Sequence, residues 1–360
     1  MAGFSVAQAT MTASLYRDFS PKIDPVKGKV ILITGGTGSF GRRMVQTLLS
    51  QYDPRKVIIL SRDELKQYEM RNDLEETFPK DKMSRMRFFL GDVRDRARLE
   101  LAFRGVDVVI HAAALKQVPA AEYNPSECIA TNVNGAENVV WACLHNRVQR
   151  IVALSTDKAC SPINLYGATK LASDKIFVAA NNLSGDIGSR FCVVRYGNVV
   201  GSRGSVVPYF KRLLAQGAKE LPITDPRMTR FWISLDQGVA FVLSCLELTQ
   251  GGEIFVPKIP ATLVTDLAIA MAPEAGHTVI GIRPGEKLHE MMISADDARA
   301  TYELDDRYII EPEFVEYTRT SFAEFAGSRK VAEDFCYASD VNEERLDADG
   351  IRGMMKAYLE

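Results

Sequence analysis

Two clusters in this 360-residue chain combine side-chain types and spacings that could do chemistry. In the first, Ser155-Thr156-Asp157-Lys158 is followed closely by Tyr166-Gly167-Ala168-Thr169-Lys170. Tyr166 and Lys170 are at positions i and i+4, so a helix sets them on one face, where a lysine charge lowers the phenol's pKa towards useful acid/base strength. Thr156 is then placed to hydrogen-bond the hydroxyl or carbonyl that Tyr166 deprotonates or protonates. Asp157-Lys158 adds an adjacent acid and base. A Tyr-x-x-x-Lys pair alone is common by chance and usually marks a surface helix. It gains meaning by following a Ser-Thr pair at the end of a strand.

The second cluster is Thr34-Gly35-Gly36-Thr37-Gly38-Ser39-Phe40-Gly41, directly after an apolar run and opening a helix. Glycines 35, 38 and 41 leave a tight turn without side chains, so backbone N–H groups and a helix N-terminus can approach a pyrophosphate. Twenty residues after Gly41, where an NAD enzyme usually carries a carboxylate on the ribose, stand Ser61 and Arg62. A serine and a guanidinium suit a 2′-phosphate, and Lys66 lies one helical turn further on. The expected cofactor is therefore NADP, with Asp63 the residue that argues the other way. Asp92-Val93 either flanks the adenine or, through its Asp, caps a helix.

These clusters need a frame. Short apolar runs at Val30–Ile33, Val57–Leu60, Phe88–Leu90, Val106–Ile110, Ile151–Leu154 and Phe191–Val194 alternate with helical stretches at Phe40–Gln51, Glu64–Phe78, Arg94–Phe103, Ser126–Asn146 and Leu165–Asn182. Near-continuous apolar strands with crossover helices predict an α/β fold: a doubly wound parallel Rossmann sheet, covered on both faces. After Tyr196 the rhythm loosens and prolines separate shorter elements. The expected organisation is an N-terminal extension over 1–27, an NADP-binding Rossmann domain over 28–197, and a smaller mixed α/β substrate lobe over 198–360, partly interleaved with the first.

Composition narrows the partners. The 46% hydrophobic and 25% charged content is that of a globular protein. With 44 Lys+Arg against 46 Asp+Glu the net charge is −2, so no global field draws nucleic acid or an anionic membrane. No apolar run approaches the ~18 residues of a membrane span. The six cysteines are scattered without a Cys-x-x-Cys pair, which fits a reducing cytoplasm. The four histidines form no cluster, so no metal site is expected.

From about Lys29 to Pro312 the chain resembles the extended short-chain dehydrogenase/reductases, and within them the inverting UDP-N-acetylglucosamine 4,6-dehydratases that open pseudaminic acid biosynthesis. The resemblance rests on TGGTGSFG at Thr34, SRDELKQ at Ser61, GDVRD at Gly91, HAAALKQVPAAEYNP at His111, STDKA at Ser155, INLYGATK at Ile163, RYGNVVGSRGSVVP at Arg195, ITDPRMTRFWIS at Ile223, GGEIFVPKIP at Gly251 and GIRPGEKLHE at Gly281. It implies a redox-neutral cycle: oxidation at sugar carbon 4, loss of the carbon-5 proton and carbon-6 hydroxyl, and return of the hydride to carbon 6. By resemblance Lys158 handles the carbon-5 proton, Asp157 assists departure of water, and Tyr166, Thr156 and Lys170 serve the oxidation. The matching stretches extend the cofactor set to Gly35, Thr37, Gly38, Ser39, Phe40, Gly41, Ser61, Arg62, Asp63, Glu64, Leu65, Lys66, Asp92, Val93, Ala112, Lys116, Tyr166, Lys170 and Val199; Asn132, in Thr131-Asn132-Val133-Asn134-Gly135, is expected near the cofactor or as a satisfied helix asparagine.

The same stretches imply that Arg203, Arg230 and Arg283 face the diphosphate of UDP-N-acetylglucosamine, with Asn198 and Glu286 on sugar or uridine and Lys116 reaching both ligands. Guanidinium forks suit phosphate oxygens. Retaining relatives typically carry Asp-Glu where this chain has Asp157-Lys158, which favours inversion. A retaining dehydratase, a 4-epimerase and a non-catalytic NADP-binding sensor are the alternatives. Family members assemble through surface helices, so a homo-oligomer is expected.

Overall fold

The computed structural model describes residues 17–359. Strands β1 (Val30–Thr34), β2 (Lys56–Ser61), β3 (Met86–Leu90), β4 (Val108–His111), β5 (Arg150–Leu154) and β6 (Arg190–Val194) alternate with helices α1 (Ser39–Gln51), α2 (Glu64–Thr77), α3 (Arg96–Ala102), α4 (Gly135–His145) and α5 (Leu165–Ser184). All six expected strands form, and they pair in parallel in the order β3-β2-β1-β4-β5-β6. β1 is buried throughout and β2 beyond its first residue, as a sheet with helices on both faces requires.

The same sheet continues into the second half of the chain. β7 (Ile254–Pro257) adds in parallel to β6, and β9 (Arg307–Ile310), β8 (Thr301–Glu303) and β10 (Arg329–Lys330) follow antiparallel, making ten strands. Helix α6 (Leu235–Leu248) packs against α1 and is held by a capping box at Ser234 and Gln237. The remaining second-half elements build a small lobe of short strands and helices. Its largest sheet joins Ala261–Leu263, Thr229–Ile233 and Asn198–Val199.

Three local expectations change. The long helix over Ser126–Asn146 is interrupted by a π-turn at Ala130–Asn134, between Pro125–Ile129 and α4. The third helix begins at Arg96, because Asp95 rather than Asp92 accepts the Arg98 N–H at its start. Of the extension expected over 1–27, the first sixteen residues lie outside those described. From Arg17 on it is packed: Phe19 is buried edge-on against Phe241, and Arg17 pairs with Glu344 at 2.5 Å.

Candidate active site

The C-terminal ends of β1, β2, β4, β5 and β6 open into one cleft of about 720 Å³, roofed by the small lobe. It lies where the strand order reverses beside β1, as open α/β sheets dictate.

At the floor, the glycine turn leaves β1. Gly35 has φ +65°, and a Cβ there would stand 2.8 Å from the Ala113 backbone. Its N–H is held by the Leu60 carbonyl at 2.9 Å. A Cβ on Gly41 would collide with the Gly36 backbone, so helix and turn approach as a dinucleotide cradle requires. Gly35, Thr37, Gly38, Ser39, Phe40 and Gly41 all line the cleft, and the residues present fit a dinucleotide pyrophosphate.

At the ribose end, Ser61 is fixed by Gln67, whose Nε2 donates to its Oγ at 3.0 Å. Arg62 lies 3.7 Å from Asp92, and Lys66 lies 2.6 Å from Asp63, which caps α2. These five residues other than Gln67, together with Val93, Ala112, Lys116 and Val199, face the cleft. Glu64 and Leu65 do not: both point outward on the first turn of α2, where Leu65 is 64% exposed. Asn132 is also placed otherwise. It is buried under the loop after β4, where its amide takes the Leu115 N–H at 2.8 Å and donates to the Leu115 carbonyl at 2.9 Å. Its contact is therefore with the loop that carries Lys116, and the π-turn is what aims it there.

On the opposite wall stand the groups suited to proton transfer. After β5 the chain makes a short 3-10 turn, Asp157–Ala159, capped by Thr156. The N-terminus of α5 lies directly on this turn, since a Cβ on Gly167 would meet the Lys158 carbonyl. Thr156 Oγ1 donates to Asp157 Oδ1 at 2.9 Å, and Lys158 Nζ lies 3.1 Å from the same oxygen. Thr156, Lys158, Tyr166 and Lys170 line the cleft, whereas Asp157 is fully buried behind them. Burial pushes the Tyr166 phenol up to about 12, opposed first by the Lys158 charge and then by hydrogen bonding to Thr156. Lys158 is thus one cation that acts on the phenol. Lys170, assigned that task from its helical spacing, donates to the Leu154 carbonyl at 2.7 Å, and burial pushes its own pKa down.

Two residues that sequence reasoning passed over complete this wall. Glu290 closes GIRPGEKLHE; it is 2% exposed, lines the cleft, and places Oε1 3.0 Å from Lys158 Nζ. Asn164 caps α5 by accepting the Gly167 N–H at 2.7 Å and donates to the Gly285 carbonyl at 2.8 Å. That bond docks the loop bearing Arg283 and Glu286 onto the active-site helix. Each stands in a matching stretch, but an Asn before a helix and a Glu in a loop carry no chemical pattern of their own.

The small lobe brings Asn198, Arg203, Arg230, Arg283 and Glu286 to the cleft. Arg203 is exposed, and its N–H reaches Ser39 Oγ at 3.2 Å, joining the lobe to the glycine turn. Arg283 pairs with Glu286. Arg230 differs from the diphosphate contact expected of it. It is buried, and its terminal nitrogens donate to the carbonyls of Thr229, Lys287 and Leu288, which anchors the loop entering Glu290. Among the described residues, no cluster of His, Cys, Asp and Glu could hold a metal, and no helix is long and apolar enough to cross a membrane.

A parallel sheet with a glycine turn after β1 and a Thr-Tyr-Lys set after β5 defines an enzyme of the short-chain dehydrogenase/reductase type. More particularly, the chain belongs to the family described as polysaccharide biosynthesis protein, whose model matches residues 31–312. It is 60% identical over 319 residues to a protein of Campylobacter jejuni subsp. jejuni serotype O:23/36 named UDP-N-acetylglucosamine 4,6-dehydratase (inverting), covering 88% of this chain and 93% of that one. A UDP-glucose 4-epimerase of Rickettsia akari is 41% identical over 91% of this chain and 95% of its own. Among solved structures, Pen from Bacillus thuringiensis superposes with a TM-score of 0.82 at 32% identity, covering 92% of this chain and 98% of that one.

Proposed function

We propose that the chain is an NADP-dependent dehydratase that acts on UDP-N-acetylglucosamine, inverts carbon 5, and yields a UDP-4-keto-6-deoxy-L-hexosamine for pseudaminic acid biosynthesis. The observation that carries this reading is the wall after β5, where Thr156 and Tyr166 share the cleft surface with Lys158. The 60% identity to the Campylobacter protein named for this reaction supports it.

Bound NADP supplies the redox chemistry at carbons 4 and 6. The glycine turn would hold its pyrophosphate, and Ser61, Arg62 and Lys66 would receive the 2′-phosphate. Thr156 orients the carbon-4 oxygen while Tyr166 takes and returns its proton. Ketone formation at carbon 4 acidifies the carbon-5 proton. Lys158 works on that proton from the cleft wall. Asp157 has no surface on the cleft, so its help to the departing water passes through Lys158 and Thr156. Lys116, Asn198, Arg203, Arg283 and Glu286 hold the nucleotide sugar, and Arg230 supports them from behind. The enzyme works as a homo-oligomer in the cytoplasm.

The relatives named as 4-epimerases favour one competing reading. Incubation with UDP-N-acetylglucosamine and NADP in deuterated water, followed by proton NMR, separates the two. The dehydratase gives a carbon-6 methyl signal and deuterium at carbon 5, and the configuration at carbon 5 distinguishes inversion from retention. An unchanged sugar skeleton epimerised at carbon 4 overturns the proposal, as does no turnover.

A further inference from the structure

Behind the Lys158 ammonium lie two carboxylates. Asp157 Oδ1 is 3.1 Å from Nζ and Glu290 Oε1 is 3.0 Å away, and both carboxylates are almost wholly buried. Their second oxygens, Asp157 Oδ2 and Glu290 Oε2, are buried with no hydrogen-bond partner among the described residues. Unpaired buried carboxylate oxygens are costly and call for a reason.

Glu290 is not there by accident of packing. Its backbone N–H donates to Ser339 Oγ at 2.9 Å, and its carbonyl accepts the Ser339 N–H at 2.8 Å. The Arg230 guanidinium holds the preceding carbonyls and lies 3.8 Å from Oε1. Other ionisable groups around this point include Tyr166 on α5, on which Asp174 also acts, and Lys287, whose Nζ donates to the Cys160 carbonyl at 2.6 Å. The charge on Lys158 is therefore set by two anions and one more distant cation.

We propose that Glu290 is a positioning residue of the elimination: with Asp157 it clamps Lys158 as an ammonium at the cleft wall, so that Lys158 gives before it takes. This rests on the dehydratase reading. In the step, the carbon-6–oxygen bond breaks and the departing hydroxyl takes a proton from Lys158, leaving as water. The carbon-5 C–H electron pair becomes the carbon-5–carbon-6 double bond, and the amine just formed takes the carbon-5 proton. Lys158 ends the step as the ammonium it began as, with no net change in protons. The carboxylates hold Lys158 well above the ordinary lysine range against the opposing pull of burial, the largest single influence on it.

The test uses the full-length enzyme with its lysines reductively methylated with carbon-13. The Lys158 signal is assigned by its loss in Lys158→Arg, then titrated by NMR in wild type and in Glu290→Gln. In parallel, kcat for UDP-N-acetylglucosamine dehydration is followed against pH. Glu290→Gln is expected to lower the Lys158 titration midpoint and the alkaline limb of kcat by one pH unit or more, with kcat down at least tenfold and KM little changed. Glu290→Asp should restore most of the limb. A Lys158 midpoint that does not move in Glu290→Gln overturns the inference, as does a fall in kcat without a shift of its limb. If Glu290→Gln does not fold, a wild-type Lys158 titrating at or below the ordinary lysine range overturns it. If wild type titrates high and shifts in the variant yet makes no 4-keto sugar, the dehydratase reading has failed and the clamp has not.

Discussion

At the ribose end of the cleft, Arg62 and Lys66 are 55% and 49% exposed, each beside an aspartate at the rim. At the other end Asp157 and Glu290 are 1% and 2% exposed around Lys158. Both ends pair cations with carboxylates, but water screens one and not the other. Exposed pairs contribute about 0–1 kcal/mol and exchange partners easily, so Arg62 and Lys66 can leave Asp92 and Asp63 for a phosphate at small cost. Removing one member of a buried set strands the others, at about 3–5 kcal/mol. The binding end is thus adjustable, and the chemical end is fixed.

Lys158→Ala should break the contrast most strongly. It deletes the cation between two buried carboxylates, so 4-keto sugar formation is expected to fall about 10²–10⁴-fold, with a loss of about 3 kcal/mol in urea unfolding. Formation at the wild-type rate would show that Lys158 is not the group acting at carbon 5. Gly35→Ala comes next. Its φ of +65° and the nearby Ala113 backbone leave no room for a methyl group, so the floor must shift. The expected cost is about 1–3 kcal/mol of stability, with NADP binding weakened more than tenfold by calorimetry. Binding of NADP by Gly35→Ala as tight as that of wild type would refute the cradle.

Arg62→Ala should act more gently, because the side chain is exposed. NADP affinity is expected to fall about tenfold while NAD affinity changes little, one charge-assisted contact being worth ~1.5 kcal/mol. Equal losses for both dinucleotides would place the 2′-phosphate elsewhere.

The last effect is on acid stability and not on the reaction, and concerns His111, buried beneath the glycine turn with Nδ1 2.8 Å from Thr34 Oγ1. Burial lowers its pKa from 6.5 to about 3. Between those values the unfolded chain binds a proton that the folded chain refuses, so stability falls as pH drops from 6.5 towards 3, by up to ~1.4 kcal/mol per unit. Denaturant melts of His111→Gln should show a shallower acid loss than wild type over this window. An equal slope would assign the acid sensitivity to other groups.

How much could be read in advance also divides the molecule. β1 to β6, the glycine turn and the Tyr166–Lys158 neighbourhood were legible because each is written in consecutive residues with a strong period or a fixed spacing. Glu290 and Arg230 were not legible in their roles, because their meaning comes from tertiary contact. Glu290 matters through Lys158 on a distant turn, and Arg230 through carbonyls whose orientation no sequence pattern specifies. Lys170 shows what spacing leaves out: it is placed beside Tyr166 by its helical position, and the Leu154 carbonyl that orients one of its three N–H groups comes from another strand. Asn132, expected near the cofactor or as a satisfied helix asparagine, lies in the π-turn and bonds the Leu115 backbone, a partner that no local pattern names.

The contact between Gly167 and the Lys158 carbonyl makes Tyr166 and Lys158 parts of a single rigid block. The two proton-transfer groups therefore move together or not at all. The loop bearing Arg283 and Glu286 touches that block through Asn164 at its first half, and through Lys287 and Glu290 at its second. Sugar or nucleotide preference can thus be re-engineered by rebuilding residues 281–286 alone, as a lens is exchanged on a fixed mount, with Lys287 and Glu290 kept to hold the amine where it is.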